Sequence, residues 1–554
     1  MASALFAGKS INFDGNASPF KIFLFVLICA AWILPGLTGH TPWKYDEAVS
    51  QGIVHGMLQG GSWLSPELAG EPYLAHPPLY YWIAALLVRL SFNLLPHHDA
   101  ARLASGLFMI GTFAGVASAA RHLYGDRTPR LAVLILIGCA GLVIRAHEMS
   151  PDLTWLAGIS WVAASLPMGR SRPARAGLLG GMGFGMAFLA QGSLVFPLLL
   201  PLLLLTPALI PEFRSPQPLR HVLWWALGAL PFLVIWPVLL ILQSPSAYVL
   251  WKPVLLGPLL HPTVWLASDA SPFYYIAVSS WFAWPAAPLA AGILWTGGKR
   301  VWDKPQTRFL LLMLGLWWII LGITTSPREG NALPLLIPFV LLSTGGLDSL
   351  RRGATSALDW FGMLTFGLLT TLLWLGWIAQ MTGWPVGIIH YLDSQLPDFT
   401  THFQLWPFLF SLVITVLWIL TIIHSHPSPR RALMNWSVGM TVSWLLVMTL
   451  WLPYVEASRS YEGVMLSLGR ALPAHHGCIM SSGLGEPQRG LLDYSLDLRT
   501  ERRELDPNAQ CSLWLVQSNG QSSFLIPHGW HLRWSGARPG DRTERYLLMS
   551  RNVR

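Results

Sequence analysis

Charge is scarce in this sequence. Only 11% of its 554 residues are Asp, Glu, Lys or Arg, against 53% hydrophobic, and the mean hydropathy is +0.47. Soluble domains carry about a quarter of their residues charged, so an ordinary soluble enzyme is excluded. The chain has no Walker-type phosphate loop, no paired Cys-x-x-Cys and no His-Glu-x-x-His, which leaves ATP-driven transport and zinc-protease chemistry without support. A cleavable leader is not expected: "KIFLFVLICAAWILPGLTG" lacks a small-residue cleavage site and is long enough to span, so it reads as a first transmembrane helix. No internal repeat is evident, and the apolar runs are almost free of Asp and Glu. Both features argue against a secondary transporter or lipid flippase, which places ionisable residues at the membrane midplane. A structural membrane scaffold is a third class.

What is present is a series of apolar runs separated by short polar links. They predict a polytopic α-helical membrane protein with about thirteen spans. The expected spans are 21–39, 103–120, 131–147, 153–168, 175–190, 193–210, 221–243, 272–295, 307–324, 332–348, 358–380, 405–424 and 434–453. The 29 Trp suit interfacial belts and cavity rims. The net charge of +9 comes largely from links such as "RHLYGDRTPR", "GRSRPARAG" and "GGKRVWDKPQTR". Lys and Arg so placed encode topology rather than nucleic-acid binding. The links "QMTGWPVGIIHYLDSQLPDFTTHF" and "LQSPSAYVLWKPVLLGPLLHPTVWLASDASP" hold one Lys and no Arg. The positive-inside rule then puts residues 1–20 in the cytoplasm and "KYDEAV" outside.

An odd number of crossings after 21–453 leaves residues 454–554 outside as well. There "CIMSSG", "CSLWLVQS" and "RYLLMS" read as short strands of a small mixed α/β soluble domain. Cys478 and Cys511 lie in this exported tail and are a disulfide candidate, with two separate thiols as the alternative. Cys29 and Cys139 lie in apolar runs, where buried thiols are ordinary. The stretch 79–95, "LYYWIAALLVRLSFNLL", is interrupted by Arg89. If it crossed, every later Arg-rich link would face outward, so it reads as interfacial or re-entrant. Residues 40–102 thereby become one long external segment, and such long loops tend to be functional.

This topology places Asp46, Glu47, Glu148 and Asp152 on one membrane face. Carboxylates at the mouth of a helical bundle suit a general base, a metal ligand or a cation site, and equally suit loop solvation or helix capping. Ser150-Pro151-Asp152 has the form of a helix start. His55 shares a stretch with Asp46, and His147 lies near Glu148 and Asp152; each is a candidate acceptor or metal neighbour, or simply an interfacial histidine. The glycines of "GLLGGMGFGMAFLA" indicate close helix packing rather than a cofactor box.

Several ordered motifs carry a family resemblance. "YDEAVSQGIVHGMLQGGSWLSPELAGEPYLAHPPLYYW" resembles the first external loop of the bacterial ArnT-like glycosyltransferases, which belong with the protein O-mannosyltransferases in the GT-C superfamily. "RAHEMSPDLTWLAGIS" is similar to the family's second acidic site, "GMAFLAQGSLVFPLLLPLL" to its T-K-G segment, and "TSPREGNALPLLIPFVLLSTGG" to its external basic loop. The resemblance implies a GT-C fold in a bacterial inner membrane and a polyprenyl-phosphate-linked sugar as donor. The acceptor is then a glycolipid such as lipid A, another envelope glycan, or a protein Ser/Thr. It implies Asp46 as the base, with Glu47 supporting it, and Asp152 as the second acidic residue. Attack on an anomeric carbon needs one base opposite the leaving group, and phosphate leaves most readily against positive charge. Inversion is therefore expected.

The chain departs from the family at its donor contacts. Ala75-His76 stands where the family has Glu-Lys, and Gln191 stands for the Lys of T-K-G. The family Glu resembles a metal ligand, so a divalent metal ion is left open here. Arg328 is the best phosphate-binding candidate, because its guanidinium forks onto phosphate; a snorkelling anchor is its other role. His76 and Lys44 follow, with Lys252 weaker.

Overall fold

The computed structural model describes residues 19–260, 266, 269–397, 399–424, 428–519 and 525–551. Its body is a helical bundle crossed by apolar helices, with a small sheet domain at the C-terminal end. Among the described residues seven helices are long and apolar enough to cross a membrane, or up to nine when two bent pairs each count as one span. Thirteen independent spans are thus not found. Three expected spans explain part of the difference. The run at 131–147 is split into Pro129–Ile137 and Ala140–Arg145, with extended Cys139 between them. The runs at 175–190 and 193–210 form Pro173–Gln191 and Val195–Leu209, joined by a 3-10 turn at Gly192, whose φ of +62° suits glycine.

Pro151–Met168 is the central helix, buried along nearly its whole length. Small residues let its neighbours approach closely. A Cβ on Gly158 would meet the Ala187 amide at 2.8 Å, and one on Gly181 would meet the Ala229 amide at 2.9 Å. The glycine stripe is therefore a packing surface, as its composition indicates.

Leu79–Leu90 has 12 residues. It rises about 18 Å, well short of the ~30 Å hydrocarbon core. Arg89 caps the ring of Trp63 at 4.7 Å. The segment 40–102 also contains the buried helix Asp46–Leu58 and a ribbon pairing Glu67–Leu68 with Glu71–Pro72.

The C-terminal sheet has five strands in the order Glu501–Arg502, Ile479–Ser482, Leu513–Asn519, Glu544–Arg551, Trp530–Gly536. The first two pairings are parallel and the last two antiparallel. All three strands expected from sequence are present. Trp530–Gly536 is an additional edge strand. Cys478 and Cys511 are bonded, with Cα atoms 5.2 Å apart, and tie the starts of two paired strands together. The domain's core includes Leu491, Leu513, Leu515 and Leu548, and also Ala48 from the Asp46–Leu58 helix. The sheet domain and the external helix are therefore packed as one body.

Candidate active site

The Asp46–Glu47 pair opens the external helix, where acidic residues complement the partial positive charge of the first turn. Consecutive helical residues point about 100° apart, so the two carboxylates take different surroundings. Asp46 faces a cluster of charged side chains. Glu47 faces inward: its Oε1 accepts from Arg102 Nε at 2.7 Å and from the Met149 amide at 3.3 Å, and its Oε2 from the Trp43 amide at 3.0 Å. Burial alone would raise the Glu47 pKa; the Arg102 charge and these donors overcome it and hold the carboxyl below its usual range. Arg102 is wholly buried and also binds Asp99 and the carbonyl of Leu37. Glu47 thus belongs to a structural ion pair with Arg102 and not to the cluster around Asp46.

Arg328 joins the two acidic sites. Its Nη2 donates to Asp46 Oδ2 at 2.8 Å and to Asp152 Oδ2 at 3.2 Å. Arg145 approaches from the other side, with Nη1 3.3 Å from Asp46 Oδ2 and 3.0 Å from Glu148 Oε2, and Nη2 3.3 Å from Glu329 Oε2. Asp152 is placed by its helix start: Ser150 caps the helix through the Asp152 amide, with Pro151 in the first turn. Its Oδ1 accepts from Gln191 Nε2 at 2.7 Å. Gln191, which stands for a family Lys, therefore orients the second carboxylate. Gly330 permits this arrangement, since a Cβ there would collide with Asp152 Oδ2.

Two guanidiniums and four carboxylates make up this cluster. Burial first, then the nearby charge of Asp152, raises the Asp46 pKa above its ordinary value, while Arg328 and Arg145 act against the rise. Burial pushes Glu148 up to about 7. Among the described residues Asp46 Oδ1 carries no protein hydrogen bond, and Arg328 uses only Nη2. One carboxylate oxygen and the Nε and Nη1 donors are left for a ligand.

The remaining candidates separate. His76 lies beside the cluster, with Nδ1 3.2 Å from the Ala190 carbonyl, and burial lowers its pKa, favouring the neutral ring. Lys44 is not part of the cluster; it is ion-paired with Glu544 of the sheet domain. His55 likewise turns to the tail, 3.2 Å from Asp497. His147 is buried between Trp32 and Trp444, with both ring nitrogens on backbone carbonyls. Lys252 lies exposed on the helix Pro245–Leu260. Arg145 and Glu329 are site residues that the sequence reading missed. An Arg three residues before Glu148, on a face poor in Arg, was the available signal.

The residues do not form a metal site. Among the described residues no three His, Cys, Asp or Glu are grouped to hold an ion, Ala75 offers no donor, and Arg328 already bridges Asp46 and Asp152.

The chain is similar to several known proteins. The family profile described as dolichyl-phosphate-mannose-protein mannosyltransferase matches residues 75–241. An undecaprenyl phosphate-alpha-4-amino-4-deoxy-L-arabinose arabinosyl transferase from Pseudomonas paraeruginosa is 28% identical over 448 residues, 76% of this chain and 74% of its own. Its counterpart from Pseudomonas aeruginosa is 28% identical over 449 residues, with the same coverage. The crystal structure of ArnT from Cupriavidus metallidurans bound to undecaprenyl phosphate superposes with a TM-score of 0.68 at 16% identity, over 96% of this chain and 98% of that one. The shared architecture is the GT-C fold.

Proposed function

We infer that this chain, an ArnT-like glycosyltransferase of the GT-C type, moves a single sugar from a polyprenyl-phosphate donor to a lipid A-type glycolipid. The observation that carries the reading is Arg328, which bridges Asp46 and Asp152 and keeps two donor nitrogens open. An acceptor hydroxyl gives its proton to Asp46 Oδ1 as its oxygen attacks the anomeric carbon. The bond to the polyprenyl phosphate breaks on the opposite face, and the released phosphate charge is taken by Arg328, with Arg145 beside it. With Asp152 held by Arg328 and Gln191, Asp46 acts as a single base and supports direct displacement with inversion. Asp152, oriented by Gln191, positions Arg328. His76 supplies a neutral hydrogen bond where the family has a cation. Glu47 and the Glu47–Arg102 pair fix the helix that presents Asp46.

The enzyme is a multi-pass membrane protein. We place the Asp46 cluster and residues 454–554 on the periplasmic face of the bacterial inner membrane, with the N-terminus in the cytoplasm, because the Arg-rich links lie at the other helix ends. The relatives spanning three quarters of the chain carry the arabinosyl transferase name, whereas the mannosyltransferase profile covers a shorter stretch. A glycolipid acceptor is accordingly favoured over a protein hydroxyl.

The test is transfer from radiolabelled undecaprenyl-phosphate sugars by the purified chain in detergent. Asp46→Asn should lower the rate by about a hundred- to ten-thousand-fold while the protein remains folded. Transfer should also fade as pH falls through the raised Asp46 pKa, because the protonated acid cannot accept the hydroxyl proton. An unchanged rate in the Asn variant would remove Asp46 as base. Solute flux with no transfer or donor hydrolysis would overturn the enzyme reading.

A further inference from the structure

A cavity of about 590 Å³ lies at the end of the bundle opposite the carboxylates. Two helices measure the separation. Arg102, beside Glu47, and Arg121, on the cavity rim, share the helix His97–Tyr124 and are about 28 Å apart along its axis. Asp152 and Met168, at opposite ends of Pro151–Met168, are about 24 Å apart. Those spacings approach the ~30 Å thickness of a bilayer core.

The cavity joins a basic rim to an apolar wall. Arg121, His122, Arg172 and Arg175 form the rim, and Trp161 and Leu179 belong to the wall. Arg121 is neutralised by Asp126, the cavity's one carboxylate. His122 fixes Nδ1 on the Ser118 carbonyl at 2.8 Å, leaving Nε2 open. Arg172 and Arg175 are exposed, and among the described residues their guanidiniums meet neither a carboxylate nor a hydrogen-bond acceptor. They also flank the positive end of the 19-residue helix Pro173–Gln191.

We propose that this cavity binds the phosphodiester headgroup of an anionic glycerophospholipid from the leaflet opposite the transfer site. Arg172 and Arg175 hold the phosphate, and the glycerol end lies along Trp161 and Leu179. The apolar wall argues for a lipid, since a free phosphate would have no use for it. Asp126 argues for an anionic headgroup: the only carboxylate able to meet a headgroup ammonium is already paired with Arg121. Basic pockets between transmembrane helices recognise acidic headgroups through this combination of charge and apolar contact. Naming the leaflet cytoplasmic rests on the sidedness proposed above; the binding chemistry does not.

Native mass spectrometry of the full chain, released from nanodiscs containing phosphatidylglycerol and phosphatidylcholine, tests the proposal. The wild type should retain phosphatidylglycerol selectively. The Arg172→Gln/Arg175→Gln pair should weaken retention by about 30-fold, from roughly 1 kcal/mol for each charge near a lipid surface. Arg172→Lys/Arg175→Lys should retain the lipid, which excludes misfolding as the cause. Arg351→Gln/Arg352→Gln, on another Arg-rich link, should leave retention unchanged. Equal retention in the Gln pair, equal loss in the control pair, or equal retention of phosphatidylcholine would overturn the proposal. Displacement of the lipid by millimolar inorganic phosphate would also overturn it, in favour of a soluble-anion site. Retention is read without sugar donor, so its failure leaves the transfer reading at Asp46 intact.

Discussion

Glu47 differs from Asp46 by one position and by nearly all of its surroundings. Its carboxylate is buried against Arg102, a side chain with no exposed surface. Removing one partner of such a pair leaves a buried charge uncompensated and costs about 3–5 kcal/mol. Glu47→Gln should therefore sharply lower the thermal midpoint and folded yield in detergent, whereas Asp46→Asn should melt close to the wild type. A Glu47→Gln protein that melts like the wild type would argue against the structural assignment. The topology read from sequence made Asp46 and Asp152 candidates, and the family resemblance added Arg328 and ranked Asp46 above Glu47. The physical reason for that ranking was not legible, because the partner of Glu47 lies 55 residues away on another helix. The sequence reading also missed Arg145, whose contact with Asp46 spans 99 residues.

At the scale of elements, the external helix depends on the sheet domain. Asp46–Leu58 crosses Glu486–Leu496 at Gly52 and Gly490, where a Cβ on Gly490 would lie 2.7 Å from the Ala48 carbonyl oxygen. Tyr45 adds a hydrogen bond to Glu486 at 2.9 Å, and Lys44 its ion pair with Glu544. Gly490→Ala should force the helices apart, costing about 1–3 kcal/mol and lowering sugar transfer through displacement of Asp46. Gly463→Ala is the control, because a Cβ there meets nothing within 4 Å and a helical Ala is favoured. A Gly490→Ala protein with wild-type melting and transfer would mean that the crossing tolerates the methyl group. Strands were legible where apolar residues cluster, as in "CSLWLVQS". Trp530–Gly536 was not, because this edge strand is largely exposed and interleaves His531 and Arg533 with its apolar residues.

For the whole molecule, the distribution of Arg predicts which ends of the bundle face each compartment. A membrane-impermeant maleimide should label His528→Cys in intact spheroplasts and Ser171→Cys only after permeabilisation, in a Cys29→Ser background. Cys139 is buried and Cys478 and Cys511 are bonded, so they add little signal. The reverse labelling pattern would invert the proposed topology and move the transfer site to the cytoplasm. By itself the sequence determined the membrane class and the shortness of the apolar stretch at 79–95, and it placed Asp46 and Asp152 at the same end of the bundle, where Arg328 joins them. Hydropathy and loop charge act locally and accumulate along the chain, so they can be read in order. Only the tertiary structure decided that Arg328 and Arg145 meet at Asp46, that Glu47 is consumed by Arg102, and that Lys44 and His55 serve the domain interface. Those outcomes depend on which side chains share a low-dielectric space after packing, where a shift of a few ångströms decides whether a charge is paired or open.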